Sequence, residues 1–328
     1  MNILHLHSQQ QDRGFSELLK GLEGSVHNVV VNAEQRIESV DLQQISLNHA
    51  HNWLMDGPLA VSLQEQLHIP FLVSITEEDC EGLMSWRFKS RNYAILQAAD
   101  KVLMPTPAIQ KCLANKLPNR IADEVFSKMI PLGNGIVHFW LDRLRTPEPV
   151  SIIHIRLLFV GMEDADAHLR TMVKAVEMLR HQNFDVTIDA VLLDDVKESA
   201  VAKAVLEKPF VRVLQVETDE EWLRCFRNHD VLVMLSGKGV EIYLQALSQG
   251  LPLIYSRDGF FAGLFQEGMT GFAVNPGKAD DVAEKILEVS QRYGTIVQHI
   301  SDLHPLSGFN WNDLIPKYLS LYARLILN

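Results

Sequence analysis

Cysteine is scarce in this 328-residue chain: Cys80, Cys112 and Cys225 are odd in number and lack the spacing of metal ligands. That argues against a disulfide scaffold or a thiolate metal site and suits free or buried thiols in a reducing compartment. Long apolar runs are missing too. No stretch approaches the roughly 20 residues that a bilayer-spanning helix needs, and the opening MNILHLH is too short and too polar for a signal-peptide core. Positive charge is in deficit. With a formal net charge of −11, a protein built to grip nucleic-acid phosphates is not expected. Short-period repeats and low-complexity tracts are also lacking. The expected compartment is the cytoplasm.

What the chain does have is the composition of an ordinary globular protein, 47% hydrophobic and 22% charged, at a length better suited to two cores than one. Strand candidates in the first half are Ile3–His7, Asn28–Asn32, Phe71–Thr76 and Lys101–Met104. Amphipathic stretches such as FSELLKGL and GPLAVSLQEQLH separate them. The polar TPEP at 146–149 breaks the pattern, which restarts with IRLLFVG, DVTIDAVLL, FVRVLQV, DVLVMLS and PLIYS. Near-continuous Val/Ile/Leu strands alternating with helical periods predict parallel sheets covered on both faces. Ligands of such sheets bind beyond the carboxyl ends of the strands.

The segment SGKGVEIYLQALSQGLPLIY, 236–255, is a glycine-punctuated loop running into a helix and a buried strand. Val240, Tyr243, Leu244 and Leu247 recur at helical spacing, Glu241, Gln245 and Ser248 share another face, and Gly250 ends the helix. The spacing of a nucleoside-triphosphate loop, Gly-x4-Gly-Lys-Ser/Thr, is not met.

From here the order of elements resembles glycosyltransferase family 4, retaining enzymes of the GT-B fold. The landmarks are LLFVG at 157–161, HDVLVMLSGKGVEIYLQALSQGLPLI, GMTGFAVNPGKADDVAEKI and FNWNDLIPKYLSLYARL. In the first half they are NHAHNWLMDGPLAVSLQEQLHIPFLVSI, AADKVLMPTPAIQKCL and IPLGNGIVHF. The resemblance covers nearly the whole chain. It implies an α/β protein with two Rossmann-like, doubly wound domains facing a cleft. Residues 1–148 would be the acceptor-type domain, 149–310 the donor-type domain, and 311–328 a helix packing back toward the first. By motif position, Gly161, Met162, Ser236, Gly237, Lys238, Gly239, Val240, Glu241 and Gln245 would line the donor site. Gly14, Thr76, Asp79 and Gly259 are further cleft candidates.

The charges of the family's motif are largely replaced. Its diphosphate-binding Arg and Lys fall on Met162 and Ala167, and its two Glu, eight residues apart, on Gly237 and Gln245. Its acceptor-domain His falls on Thr76. In DGFFAG, Gly259 is kept and Gly263 stands for a Glu. Glu241 enters the first turn of the loop's helix, where a carboxylate satisfies the positive end of the dipole and repels a phosphate. Lys238 is the basic residue of the loop. Arg170 and Lys174 read as solvated helix positions. The resemblance therefore implies retaining transfer from a nucleotide sugar to a glycan, lipid or protein acceptor, or alternatively a non-catalytic protein partner or scaffold of an active enzyme. A nucleotide-sugar epimerase is the third class, without an identifiable acid–base pair. Weak nucleotide-sugar binding is expected, and no cofactor.

His5 and His7 share a strand face, and His49 and His51 end another strand nearby; four imidazoles near a cleft could bind zinc, but without Cys or carboxylate at ligand spacing no metal site is expected. Glu77, Glu78, Asp79 and Glu81 read as a solvated loop. The stretch 83–96 alternates Trp86, Phe88 and Tyr93 with Arg87, Lys89 and Arg91. It is read as a packed helix, with peripheral contact at the inner face of a membrane as its functional alternative.

Overall fold

The β-branched runs of the first half form strands because both faces of each are covered, which rewards Val, Ile and Leu at consecutive positions. In the computed structural model, which describes residues 1–8, 12–31, 41–82, 89–133, 135–147, 154–162, 164–193, 207–302 and 306–327, these strands are β1 (Asn2–Leu6), β2 (His27–Val31), β3 (Leu47–Ala50), β4 (Phe71–Ser74), β5 (Lys101–Met104) and β6 (Met129–Pro131). They pair in parallel in the order β2-β1-β3-β4-β5-β6. The helices between them are α1 (Arg13–Leu22), α2 (Trp53–Leu67), α3 (Glu77–Gly82), α4 (Lys89–Ala98), α5 (Pro107–Lys116) and α6 (Asn119–Lys128). The order reverses between β1 and β3, so the carboxyl ends of those two strands form this sheet's crevice.

The second half builds its own sheet. Its elements are α7 (His138–Leu141), β7 (His154–Gly161), α8 (Ala165–His181), β8 (Asp185–Leu192), β9 (Val211–Leu214), α9 (Asp219–Asn228), β10 (Val231–Met234), α10 (Val240–Ser248), β11 (Leu253–Ser256), β12 (Gly271–Val274), α11 (Ala279–Gln291) and α12 (Tyr293–Asp302). The parallel order is β12-β11-β10-β7-β8-β9. Counted within the sheet, that is the 3-2-1-4-5-6 order of dinucleotide-binding folds, with its reversal between β7 and β10. Local chemistry agrees with these bounds: Thr218 and Glu221 close a reciprocal capping box at the start of α9.

Chain contacts divide the protein into Met1–Val137 with Gly308–Asn328, and His138–Ser307. The division falls before α7, not at 148/149. The reason is packing: Trp140 of α7 is fully buried with its ring 5.6 Å from Phe226 of α9, and the Arg145 N–H donates to the Ser248 carbonyl at 3.0 Å. Residues 138–147 are therefore held by the second unit.

The closing helix, α13 (Trp311–Leu327), is part of the first unit. Its buried Trp311, Leu314, Tyr318, Leu321 and Tyr322 join Ile3, Leu47, Leu72 and Leu103 in one apolar cluster. The Ile136 N–H, donating to the Phe309 carbonyl at 2.8 Å, fastens the chain as it returns. Three strands escape the apolar-run criterion. β3 reads LNHA because Asn48 and His49 are buried polar residues, β6 is only three residues long, and β12 opens on Gly271.

Trp311→Ala is expected to destabilise the first unit by about 3–5 kcal/mol, the usual cost of emptying a tryptophan site in a packed core. Urea unfolding followed by far-UV circular dichroism measures this.

Candidate functional site

Ser236 to Gly239 follow β10 and open α10, at the carboxyl side of the β7/β10 reversal. Gly239 is the N-cap of α10 at φ 88°, a left-handed conformation that glycine adopts without strain. The space beside it is filled by thioethers: a Cβ placed there would lie 2.8 Å from Met234 Cε and 2.9 Å from Met162 Sδ. Inside the loop the Lys238 N–H donates to Ser236 Oγ at 3.2 Å. A second loop is bonded to it, the Phe260 N–H donating to the Gly237 carbonyl at 2.7 Å. Gly259 permits that approach, since its Cβ would stand 3.0 Å from the Gly237 oxygen.

Gly161, the last residue of β7, serves packing. A Cβ there would meet Leu192 Cδ2 at 2.8 Å and Ala165 Cβ at 3.0 Å, so its absence lets α8 sit close on β7 and β8. Along α10, Val240 and Gln245 are buried and Glu241 is exposed. The Gln245 side-chain amide donates to Glu241 Oε1 at 3.0 Å, one turn apart. The Tyr243 hydroxyl donates to the Met234 carbonyl at 2.8 Å and ties the helix to β10. The structure thus brings Gly161, Met162 and Ser236 to Gln245 to one end of one sheet, with Gly259 beside them. Chemically this is a glycine loop at a helix N-terminus, with Lys238 and a Glu–Gln pair on it and an apolar Met162 at its side. Ala167 is exposed on α8, as are Arg170 and Lys174, and Gly263 lies exposed in a turn at φ 85°.

Residues 154–292, most of the second unit, match the family described as glycosyl transferases group 1. The crystal structure of HepE from Anabaena in complex with UDP-glucose is similar with a TM-score of 0.72 at 12% identity, over 99% of this chain and 100% of that one. Sucrose-phosphate synthase from Thermosynechococcus elongatus gives 0.70 at 16% identity, over 100% and 99%. The fold is GT-B. Sulfoquinovosyl transferase SQD2 of Arabidopsis thaliana is 27% identical over 219 residues, which is 58% of this chain and 38% of that protein. The chain thus spans little more than a third of this relative. No helix among the described residues is long and apolar enough to cross a membrane.

In the first unit of this GT-B chain, the cleft candidates have structural partners. Thr76 Oγ1 accepts the Asp79 N–H at 3.2 Å, and Asp79 in return takes the Thr76 N–H at 2.9 Å. Asp79 is buried and also accepts from the N–H groups of Trp53 at 3.1 Å and Leu54 at 3.0 Å, capping α2. The acid expected in a solvated loop is therefore a buried cap. Its burial outweighs these bonds and pushes the carboxyl up to about 6. Gly14 lies half-buried in the first turn of α1, its N–H bonded to Asp12. Of the stretch 83–96, Trp86, Arg87 and Phe88 lie outside the described residues. Lys89 and Arg91 are exposed, and the Tyr93 hydroxyl donates to the Lys116 carbonyl at 3.3 Å.

The histidines come together at the β1/β3 reversal. His5 pairs with His49 across the two strands. His5 Nε2–H donates to Asn28 Oδ1 at 3.0 Å, which leaves its Nδ1 to accept from His51 Nε2 at 2.9 Å. His49 bonds the Tyr322 hydroxyl and Ser74 Oγ, each at 2.9 Å. Burial pushes His5 down to about 4 and holds His49 and His51 well below their ordinary value. His7 stacks on Phe15, with centroids 4.0 Å apart, and its Nε2 lies 3.2 Å from Asp12 Oδ2.

Sequence reading missed a charged network in the second unit. Asp189 bonds Arg212 and, at 2.9 Å, His229; Arg156 holds Asp230 through two side-chain bonds of 3.0 and 2.8 Å. Arg156, Asp189, Arg212 and His229 line a cavity of about 490 Å³. No periodicity marks these residues, because β7, β8 and β9 bring them together across the sheet.

Gly161→Ala should lower stability by about 1–3 kcal/mol through overpacking against Leu192 and Ala165, read from urea unfolding. Asp79 gives a pH test. Its folded carboxyl keeps a proton that the unfolded chain releases above pH ~4, so its contribution to stability falls as pH rises toward 6. The loss is on the order of 3 kcal/mol. Asp79→Asn lacks that component, so the slope of melting temperature against pH between about 4 and 6 should be more positive in the variant than in the wild type.

Proposed function

We propose that this protein transfers a sugar, with retention, from a nucleotide-sugar donor to a glycan, lipid or protein acceptor. The observation that carries the reading is the glycine loop 236–239, which opens α10 at the β7/β10 reversal inside the stretch matched by group 1 glycosyl transferases. The dipole of a helix N-terminus attracts a diphosphate. Gly237 and Gly239 let backbone approach it closely. Lys238 supplies the positive charge that stabilises the leaving group, and Gln245 offers its amide to a donor hydroxyl. The neighbouring structure of HepE, solved with UDP-glucose, supports a uridine nucleotide as the first donor to try.

A second reading has a specific observation behind it. Met162 lies against Gly239, where the family 4 resemblance expects an arginine, and Ala167 stands where it expects a lysine. A chain that has lost these charges would act as a non-catalytic partner of an active transferase. Calorimetry with uridine and guanosine diphosphates and their sugars separates the two. Transfer requires saturable binding by the wild type, weakened roughly 10- to 150-fold in Lys238→Ala, the equivalent of one charge-assisted hydrogen bond. Lys174→Ala, exposed on α8, should bind as the wild type does. Absence of binding across the panel favours the partner. Glu241→Gln should cost about 0.3–1 kcal/mol of stability while strengthening anion binding, because the carboxylate already satisfies the dipole. Lost transfer at an unchanged melting temperature would instead make Glu241 a ligand of the donor or acceptor.

A further inference from the structure

We propose that His5, His49 and His51 form a binding site for a divalent transition metal ion of the zinc type, at the carboxyl ends of β1 and β3. One nitrogen from each imidazole lies within 4.8 Å of the others. The strand register fixes two of them, His5 being directly opposite His49, and His51 follows two residues on along the same face. His5 and His49 are fully buried, so an ion here is shielded from exchange with solvent.

The surroundings have the character of a metal site's outer shell, in which each ligand imidazole gives its other N–H to a fixed acceptor. Asn28 Oδ1 takes the Nε2–H of His5 and turns its Nδ1 lone pair toward His51. His49 is flanked by two hydroxyls, Ser74 and Tyr322, so when one of its nitrogens exchanges its hydroxyl for the ion the other keeps a partner. The separation of His5 and His51 is close to what is required. Tetrahedral metal–nitrogen bonds of about 2.0–2.1 Å put ligand nitrogens roughly 3.3 Å apart. His5 Nδ1 and His51 Nε2 now stand 2.9 Å apart, sharing the proton that an ion would replace. The adjustment falls to His51, whose ring centroid lies 3.8 Å from that of His49, the planes tilted by 33°. It is only partly buried and lies just beyond β3, so it can turn onto the ion. An all-imidazole set selects zinc, copper or nickel over magnesium or calcium. The fourth position is left to water on the His51 side.

The test uses the full chain without an affinity tag, stripped with chelator. Zinc is titrated by calorimetry, and cobalt is followed by its visible ligand-field bands. One equivalent should bind, with tetrahedral cobalt bands and a raised melting temperature. Asn28→Ala should weaken binding roughly 10- to 100-fold, the usual effect of removing an outer-shell partner. His51→Gln should abolish it, and His27→Gln, exposed on β2, should leave it unchanged. Circular dichroism confirms that each variant is folded. Lack of saturable zinc binding by the wild type, or equal binding in folded His51→Gln and Asn28→Ala, overturns the site. Because no nucleotide enters the assay, the outcome is independent of the sugar-transfer reading.

Discussion

A parallel sheet needs both its faces covered, and that requirement organises each half of this chain. Its strands cannot be joined by tight turns, so every crossover contributes a helix or a long connection. Once helices occupy the faces, polar chemistry is left to the ends of the strands. Each sheet also reverses its order beside its first strand, at β1/β3 and at β7/β10. There, crossovers leave in opposite directions and open a crevice. The histidine cluster lies at one reversal and the glycine loop at the other.

The two crevices are built with different economies. In the second unit the loop relies on backbone: Gly259 lets its chain touch that of Gly237, Gly239 takes a left-handed turn, and Gly161 lets α8 approach β7. In the first unit side chains do the work. Asp79 binds three backbone N–H groups, so donors that a helix start would leave unmet are satisfied, and the Asn48 side-chain amide donates to the Ala60 carbonyl. A carboxylate held this way remains expensive, as its raised pKa records.

The closing helix shows how far contacts in sequence and in space diverge. Tyr322 lies 273 residues from His49 yet bonds it, and Trp311 shares a cluster with Ile3 of the first strand. Deep burial of α13 makes the chain's last described turns part of its first core.

Periodicity alone determined a great deal. Continuous Val/Ile/Leu runs located most strands within a residue or two, because burial on both faces leaves no alternation to confuse the reading. The glycine spacing of 236–250 located the loop, its helix and its end, since the conformations at Gly239 and Gly250 are ones only glycine takes freely. Tertiary structure decided the rest. It moved Asp79 from an expected loop into a buried cap, set Met162 against Gly239, assigned 138–147 to the second unit, and brought His5, His49 and His51 together across two strands. None of these is written in local sequence, because each depends on which strand lies beside which, and that order is set by how whole helices cover the sheets.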